Sequence, residues 1–163
     1  EFTAEVQDNL GKMYSKVEYE EGYTLVFQGK FEEGLEKLLP LEEKYGDWWN
    51  LLFMIGLAYK NMGEMDKAKE YYEKILRMKP QQVDTLVELA LCEASSLNMN
   101  RAIELLEAAA KLKEDPEILC NLGMAYLNVG NFDDANYYIE RAYELNPEDE
   151  VTVACKRELA KYI

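Results

Sequence analysis

The stretch WWNLLFMIGLAYKNMGEMDKAKEYYEKILRMKP, residues Trp48–Pro80, contains two helical patterns around the turn Asn61-Met62-Gly63. From Trp48 to Tyr59 the only strongly polar residue is Asn50. A helix that is apolar on nearly every side must be covered on nearly every side. The following pattern, from Met65 to Lys79, is amphipathic and can cover only one side. The other side therefore needs another part of the chain, a second copy or a ligand.

The same pattern recurs along the chain. Gly22 and Gly29 lie 34 residues before Gly56 and Gly63, and Gly123 and Gly130 lie 67 residues after them, about two further periods. Each of four first helices carries a small residue that is followed by another small residue twelve positions later: Gly22/Gly34, Gly56/Ala68, Ala90/Ala102 and Gly123/Ala135. Small residues let two antiparallel helices approach closely. Four such pairs predict four helical hairpins.

The turns between paired helices agree with this prediction. Gly29, Gly63 and Gly130 stand where a helix ends in the left-handed conformation. The third hairpin has Leu97-Asn98 instead, and there we expect Asn98 to make the turn.

This period and spacing resemble the tetratricopeptide repeat family. The second repeat carries the resemblance best, through the following residues: Leu52, Ile55, Gly56, Tyr59, Gly63, Ala68, Tyr72, Ile75 and Pro80. The resemblance implies an all-α, right-handed α-solenoid of about four hairpins with a C-terminal capping helix. We predict repeats at 15–48, 49–82, 83–115 and 116–149, a short helix at about Thr3–Leu10 within an N-terminal segment 1–14 that docks onto the body, and the capping helix within 150–163.

Charge and composition exclude several functions. The 163 residues carry 32 acidic and 18 basic side chains, a formal net charge of −14, which would repel nucleic acid. Nothing in the sequence is long and apolar enough to insert into a membrane. Without histidine, Ser-His-Asp and Cys-His mechanisms are impossible, and we find no metal or cofactor motif. We therefore expect no enzyme activity, no metal site and no cofactor.

The three cysteines, Cys92, Cys120 and Cys155, match no zinc spacing. We interpret them as buried, reduced thiols, which are typical of a cytoplasmic protein. The chain begins with Glu1-Phe2 rather than Met, which suggests an excised piece, so the start of the chain adds nothing to that localisation.

In tetratricopeptide arrays the first helix of each hairpin lines a concave groove, and the resemblance implies that the second, fifth, ninth and twelfth residues of each repeat face it. The twelfth residue of the first repeat is Val26. The fifth and ninth residues are apolar or aromatic in all four repeats, and we predict that they form a peptide-binding groove: Tyr19, Tyr23, Phe53, Leu57, Val87, Leu91, Cys120 and Met124. A large bare apolar patch is unusual on a soluble monomer.

Several occupants of this groove stay open. The favoured function is an adaptor or scaffold that binds an apolar or amphipathic protein segment, with basic residues on the partner beside its apolar anchors. The stripe could instead pack within a tight superhelix or under residues 1–14, or be filled by a second copy in a self-associating homodimer. A third alternative is a bacterial secretion chaperone for hydrophobic translocator proteins, because chain length and acidity are similar.

Overall fold

The structure is a computed structural model that describes the backbone of residues 4–163 and the side chains from residue 15 onward. All regular secondary structure in that part of the chain is α-helical. The helices are α1 Ala4–Phe27, α2 Phe31–Tyr45, α3 Trp49–Asn61, α4 Met65–Met78, α5 Val83–Ser95, α6 Met99–Leu112, α7 Pro116–Asn128, α8 Phe132–Leu145 and α9 Glu150–Leu159.

These helices form two compact units, one ending at Met78 and the other beginning at Lys79. In the first unit α1 packs on α2, α3 packs on α4, and α2 joins the two hairpins by packing on α3. In the second unit α5 packs on α6, α7 packs on α8, and α6 packs on α7. The last helix, α9, packs on both α7 and α8, so it covers the exposed side of the final hairpin.

Each unit buries its own apolar cluster. The first unit has a core of Val26, Leu35, Leu38, Leu41, Leu51, Met54, Ile55 and Ala58. One core of the second unit consists of Leu119, Cys120, Ala135, Ile139, Ala142, Cys155 and Leu159. The members come from successive turns of facing helices, spaced three or four residues apart, as amphipathic helices require. All three cysteines are free and buried, which confirms that part of the prediction.

The helices of each hairpin approach closely at the glycines. A Cβ atom added to Gly22 would lie 2.6 Å from Leu38 Cδ2, and one added to Gly123 would lie 2.5 Å from Ile139 Cγ1. At Gly56 the added atom would lie 2.7 Å from Cε1 of Tyr72. The space at these glycines is therefore filled mainly by a large side chain one turn beyond the small residue that the sequence pairs with it.

Three of the four hairpin turns use glycine at positive φ, at Gly29, Gly63 and Gly130 (φ 78°, 81° and 79°). In the third hairpin the expectation for Asn98 is wrong. Leu97 takes the left-handed conformation, with φ 65°, while Asn98 directly precedes α6 with φ −88°. The side chain of Leu97 is 85% exposed. The turn geometry is thus kept at a position where a side chain makes it strained.

The N-terminal prediction also needs correction. The first helix continues without a break from Ala4 to Phe27, so there is no separate short helix that ends near Leu10. Gly11 does not interrupt it, because one glycine costs a helix only about 1 kcal/mol. The predicted docking of residues 1–14 onto the body lies outside the described side chains.

Tyrosines connect the adjacent hairpins of each unit. In the first unit Tyr71 Oη donates a 2.7 Å hydrogen bond to Glu42 Oε2, and the ring of Tyr71 stacks on that of Tyr59 at 5.8 Å between centroids. Burial, followed by the hydrogen bond to Glu42, raises the pKa of Tyr71 well above its usual value. The hydrogen bond ties α4 to α2, across the join between the first and second hairpins, and the ring stack joins α3 to α4 within the second hairpin.

The second unit has a similar pair of tyrosines, but here the tyrosine on the first helix of the hairpin makes the hydrogen bond. Tyr126 Oη donates to Glu107 Oε1, and the ring of Tyr126 stacks on that of Tyr138 at 5.7 Å. Here the hydrogen bond ties α7 to α6 across the join between the third and fourth hairpins.

Candidate protein-binding surface

A row of aromatic rings runs along one face of α1. Tyr19, Tyr23 and Phe27 are spaced four residues apart and therefore share a face. The ring centroids of Tyr19 and Tyr23 are 6.2 Å apart, and those of Tyr23 and Phe27 are 4.5 Å apart. We call these three residues the aromatic strip.

The two ends of the aromatic strip differ in burial. Tyr19 is half-buried and its ring lies 4.5 Å from that of Trp48. Burial, with a smaller effect of the neighbouring Tyr23, raises the pKa of Tyr19. Tyr23 is 42% exposed and Phe27 is 64% exposed. The strip is thus anchored in the first unit at Tyr19 and open to solvent at Phe27.

The predicted contacts on α3 are more deeply placed. Phe53 and Leu57 are both half-buried and pack against the core of the first unit. The ring of Phe53 lies 5.9 Å from that of Tyr72 and 6.3 Å from that of Trp49. Each of the two presents part of its surface to solvent, while the rest supports the hairpin.

One position of the first repeat was assigned to the wrong residue. Val26, the twelfth residue of the repeat, is only 4% exposed because it packs against α2 at Gly34. The adjacent Phe27 is the exposed residue, and the family positions miss it. The sequence signal that finds it is the i, i+4, i+8 spacing of Tyr19, Tyr23 and Phe27.

In the second unit the predicted residues lie on α5 and α7. Val87 and Leu91 are half-buried on α5, and Met124 is half-buried on α7. The prediction that Cys120 is an accessible contact is wrong, because its side chain is only 1% exposed. Its Sγ lies 3.3 Å from Oγ1 of Thr152, so α9 covers the part of α7 that would otherwise be open.

Acidic side chains lie beside the apolar residues of the second unit. Asp84 and Glu117 are exposed in the first turns of α5 and α7. Glu88, one turn further along α5, is half-buried. Because the charge lies at the beginnings of both helices, a partner that contacts Leu91 and Met124 would meet carboxylates on one side.

The described residues offer neither a membrane-spanning helix nor a cluster of metal ligands. Among the described helices, none is both long and apolar enough to cross a membrane. In the same part of the chain, no three acidic or cysteine side chains come together as metal ligands would.

Comparison with known proteins identifies the repeats. The tetratricopeptide repeat pattern matches residues 50–82 and 116–149. A photosystem I assembly protein Ycf3 of Prochlorococcus marinus (strain NATL2A) is 31% identical over 127 residues, which are 71% of this chain and 73% of that protein. The chain belongs to the tetratricopeptide repeat family. Its second and fourth hairpins are the ones that match the repeat pattern.

Solved structures share the tetratricopeptide fold. The TPR protein YrrB, whose structure is described as having an unusual peptide-binding site, superposes with a TM-score of 0.78 at 14% identity, over 88% of this chain and 74% of YrrB. MamA superposes with a TM-score of 0.74 at 16% identity, over 86% of this chain and 97% of MamA. At these identities the likeness shows an all-α repeat fold. Proteins of this family are generally interaction modules rather than enzymes, and no catalytic family is indicated.

Proposed function

We propose that this tetratricopeptide protein is a non-enzymatic adaptor that binds an apolar segment of a partner protein on the open faces of its first helices. The contacts on the first unit are Tyr23, Phe27 and the exposed parts of Phe53 and Leu57. On the second unit they are Val87, Leu91 and Met124. Tyr19 positions the aromatic strip.

The observation that carries the proposal is the open end of the aromatic strip. Two neighbouring rings, Tyr23 and Phe27, lie 4.5 Å apart at a tilted angle and are 42% and 64% exposed. Aromatic side chains of this kind dominate binding energies at interfaces, because they bury a large area and lose little conformational entropy. An apolar partner segment that covered these two rings would remove a large apolar area from water.

The charge of the chain supports a basic partner. The net charge is −14, and Asp84 and Glu117 flank the apolar residues of the second unit. A segment with Lys or Arg beside its apolar anchors would be attracted. Its affinity should fall as salt is raised, because exposed charges are screened over about 10 Å at 0.1 M ionic strength.

The experiment uses peptides selected from a displayed random library against the whole chain. Replacing both Tyr23 and Phe27 with Ala should weaken the selected peptides at least tenfold, since residues of this kind at an interface contribute about 1.4 kcal/mol or more. Tyr137→Ala is the matched control, because Tyr137 is a 63% exposed tyrosine on α8. Peptides that ignore the first pair of substitutions and respond to the control would overturn the assignment.

The similarity to Ycf3 favours a more specific form of the same function. Those relatives are named photosystem I assembly proteins. We propose, by analogy, that the partner segment belongs to a subunit that this chain holds before the subunit joins a larger assembly. A purified subunit that bound the isolated chain and lost that binding on assembly would support this form. Equal binding of the assembled subunit would reject it.

A second copy of the chain is the competing occupant of these faces. Light scattering on a size-exclusion column across a hundredfold range of concentration distinguishes the two. A monomer throughout leaves the faces available to a partner. If the chain forms a stable dimer, and replacing both Tyr23 and Phe27 with Ala dissociates it, the protein is a self-associating scaffold rather than an adaptor.

A further inference from the structure

Two of the three cysteines meet where α9 covers α7. Cys120 and Cys155 belong to the same buried cluster, and they are 1% and 9% exposed. Cys120 Sγ lies 3.3 Å from Thr152 Oγ1. Cys155 follows Thr152 by three residues on α9 and therefore shares the face of that helix that meets Cys120. The chain brings two thiols, 35 residues apart in sequence, to one point.

The two thiols also differ in acidity. Hydrogen bonding from the Cys155 thiol, with a smaller contribution from Thr152, lowers the pKa of Cys120 to about 7 against the opposing effect of burial. The pKa of Cys155 is raised, first by its hydrogen bond to Cys120 and then by burial. Cys120 is therefore the thiol of the pair that loses its proton first, and Cys155 retains its proton until it attacks, which favours stepwise oxidation.

We propose that Cys120 and Cys155 form a reversible disulfide that fastens α9 to α7. With hydrogen peroxide as the oxidant, the Cys120 thiolate attacks one peroxide oxygen and the O–O bond breaks. This gives a sulfenic acid and a hydroxide, which takes up a proton to become water. The Cys155 sulfur then loses its proton and attacks the Cys120 sulfur, the S–O bond breaks, and a second water leaves. Two thiols and one peroxide become one disulfide and two waters.

The position of α9 gives this bond a consequence. α9 is held by its packing on α7 and α8. A helix that packs on a single hairpin opens at a lower free energy than the body of a domain, and opening admits the oxidant to both thiols. Once formed, the disulfide closes a loop of about 35 residues and restricts the unfolded chain. Oxidation should therefore keep Cys120 and the neighbouring apolar surface of α7 covered.

The experiment treats the whole reduced chain with hydrogen peroxide, removes the excess and determines the intact mass. The expected result is a loss of two hydrogen atoms, a fall from three free thiols to one, and a peptide that links Cys120 to Cys155. The midpoint of thermal unfolding should rise by several degrees, and dithiothreitol should reverse both changes.

Variants provide the controls. Cys92→Ala, which alters only the thiol on α5, should still form the bond, whereas Cys155→Ala should not. The peptide map of the unsubstituted chain decides the matter even where a variant fails to fold. A disulfide that involves Cys92, links between chains, or oxygen addition at Cys120 without a linked peptide would overturn the proposal.

Discussion

Gly56→Ala tests the close approach of α3 and α4. An added Cβ would meet three atoms of the Tyr72 ring, at 2.7, 3.1 and 3.2 Å. The ring is completely buried, so it cannot move aside into solvent. Contacts below 3.0 Å require a shift of the backbone or the ring, and overpacking of this kind costs about 1–3 kcal/mol.

The same substitution brings a gain. Alanine in the middle of a helix is favoured over glycine by roughly 1 kcal/mol. Subtracting the helix gain of roughly 1 kcal/mol from the middle of the overpacking range, about 2 kcal/mol, leaves a loss of about 1 kcal/mol in the free energy of unfolding. In a Tyr72→Ala background the ring atoms that the added Cβ would meet are gone, so the steric cost should disappear and Gly56→Ala should then stabilise the protein by up to about 1 kcal/mol.

Urea unfolding followed by tryptophan fluorescence measures this directly. Trp48 and Trp49 are the only tryptophans in the chain and both lie in the first unit, so their signal follows the unit that contains the substitution. A Gly56→Ala protein that is more stable than the parent by the full gain in helix propensity would refute the packing argument. An equal effect of Gly56→Ala with and without the substitution at Tyr72 would also refute it.

Three further predictions concern other hairpins. Leu97→Gly should stabilise the protein by about 0.5–1 kcal/mol in thermal unfolding, because relief of left-handed strain exceeds the entropic cost of glycine; destabilisation would contradict the strained turn. Tyr71→Phe should lower the free energy of unfolding by about 1 kcal/mol, because it removes the hydrogen bond to Glu42. An unchanged stability in urea would contradict this. Asp149 accepts hydrogen bonds from the Thr152 hydroxyl and backbone N–H at the start of α9, and these lower its pKa. The stability that Asp149 contributes should therefore be complete above the usual aspartate pKa of 3.8 and be lost as the pH falls below that value. Asp149→Ala should remove this acid dependence and speed chemical labelling of the Cys155 thiol at neutral pH. Equal labelling rates in the two proteins would argue against the cap.

The repeats could be predicted from the sequence because their signals are local. Gly29, Gly63 and Gly130 mark turns through a conformation that glycine adopts without strain. Leu97 could not be found in this way, since its left-handed conformation is imposed by the helices on either side against its own preference. Periodic small residues likewise indicated the hairpins, whereas the side chains that fill the space at the glycines depend on the details of packing.

The candidate surface was predictable only in part. Family positions placed Tyr23 on an open face but assigned the next exposed position to Val26 rather than Phe27, because they describe an average repeat and the first hairpin differs from it. Cys120 occupies a position that is open in an internal repeat. It is buried here because α9 follows the last hairpin, and a rule that treats each repeat alone contains no information about that neighbour.

The central claim is that the open end of the aromatic strip contacts a partner segment. Its most direct test places a photoreactive benzoylphenylalanine at position 23, and in a separate protein at position 137, and irradiates each with a peptide selected by the unsubstituted chain. Position 23 should crosslink to an apolar residue of the peptide, and position 137 should not. Crosslinking at position 137 with none at position 23 would contradict the claim.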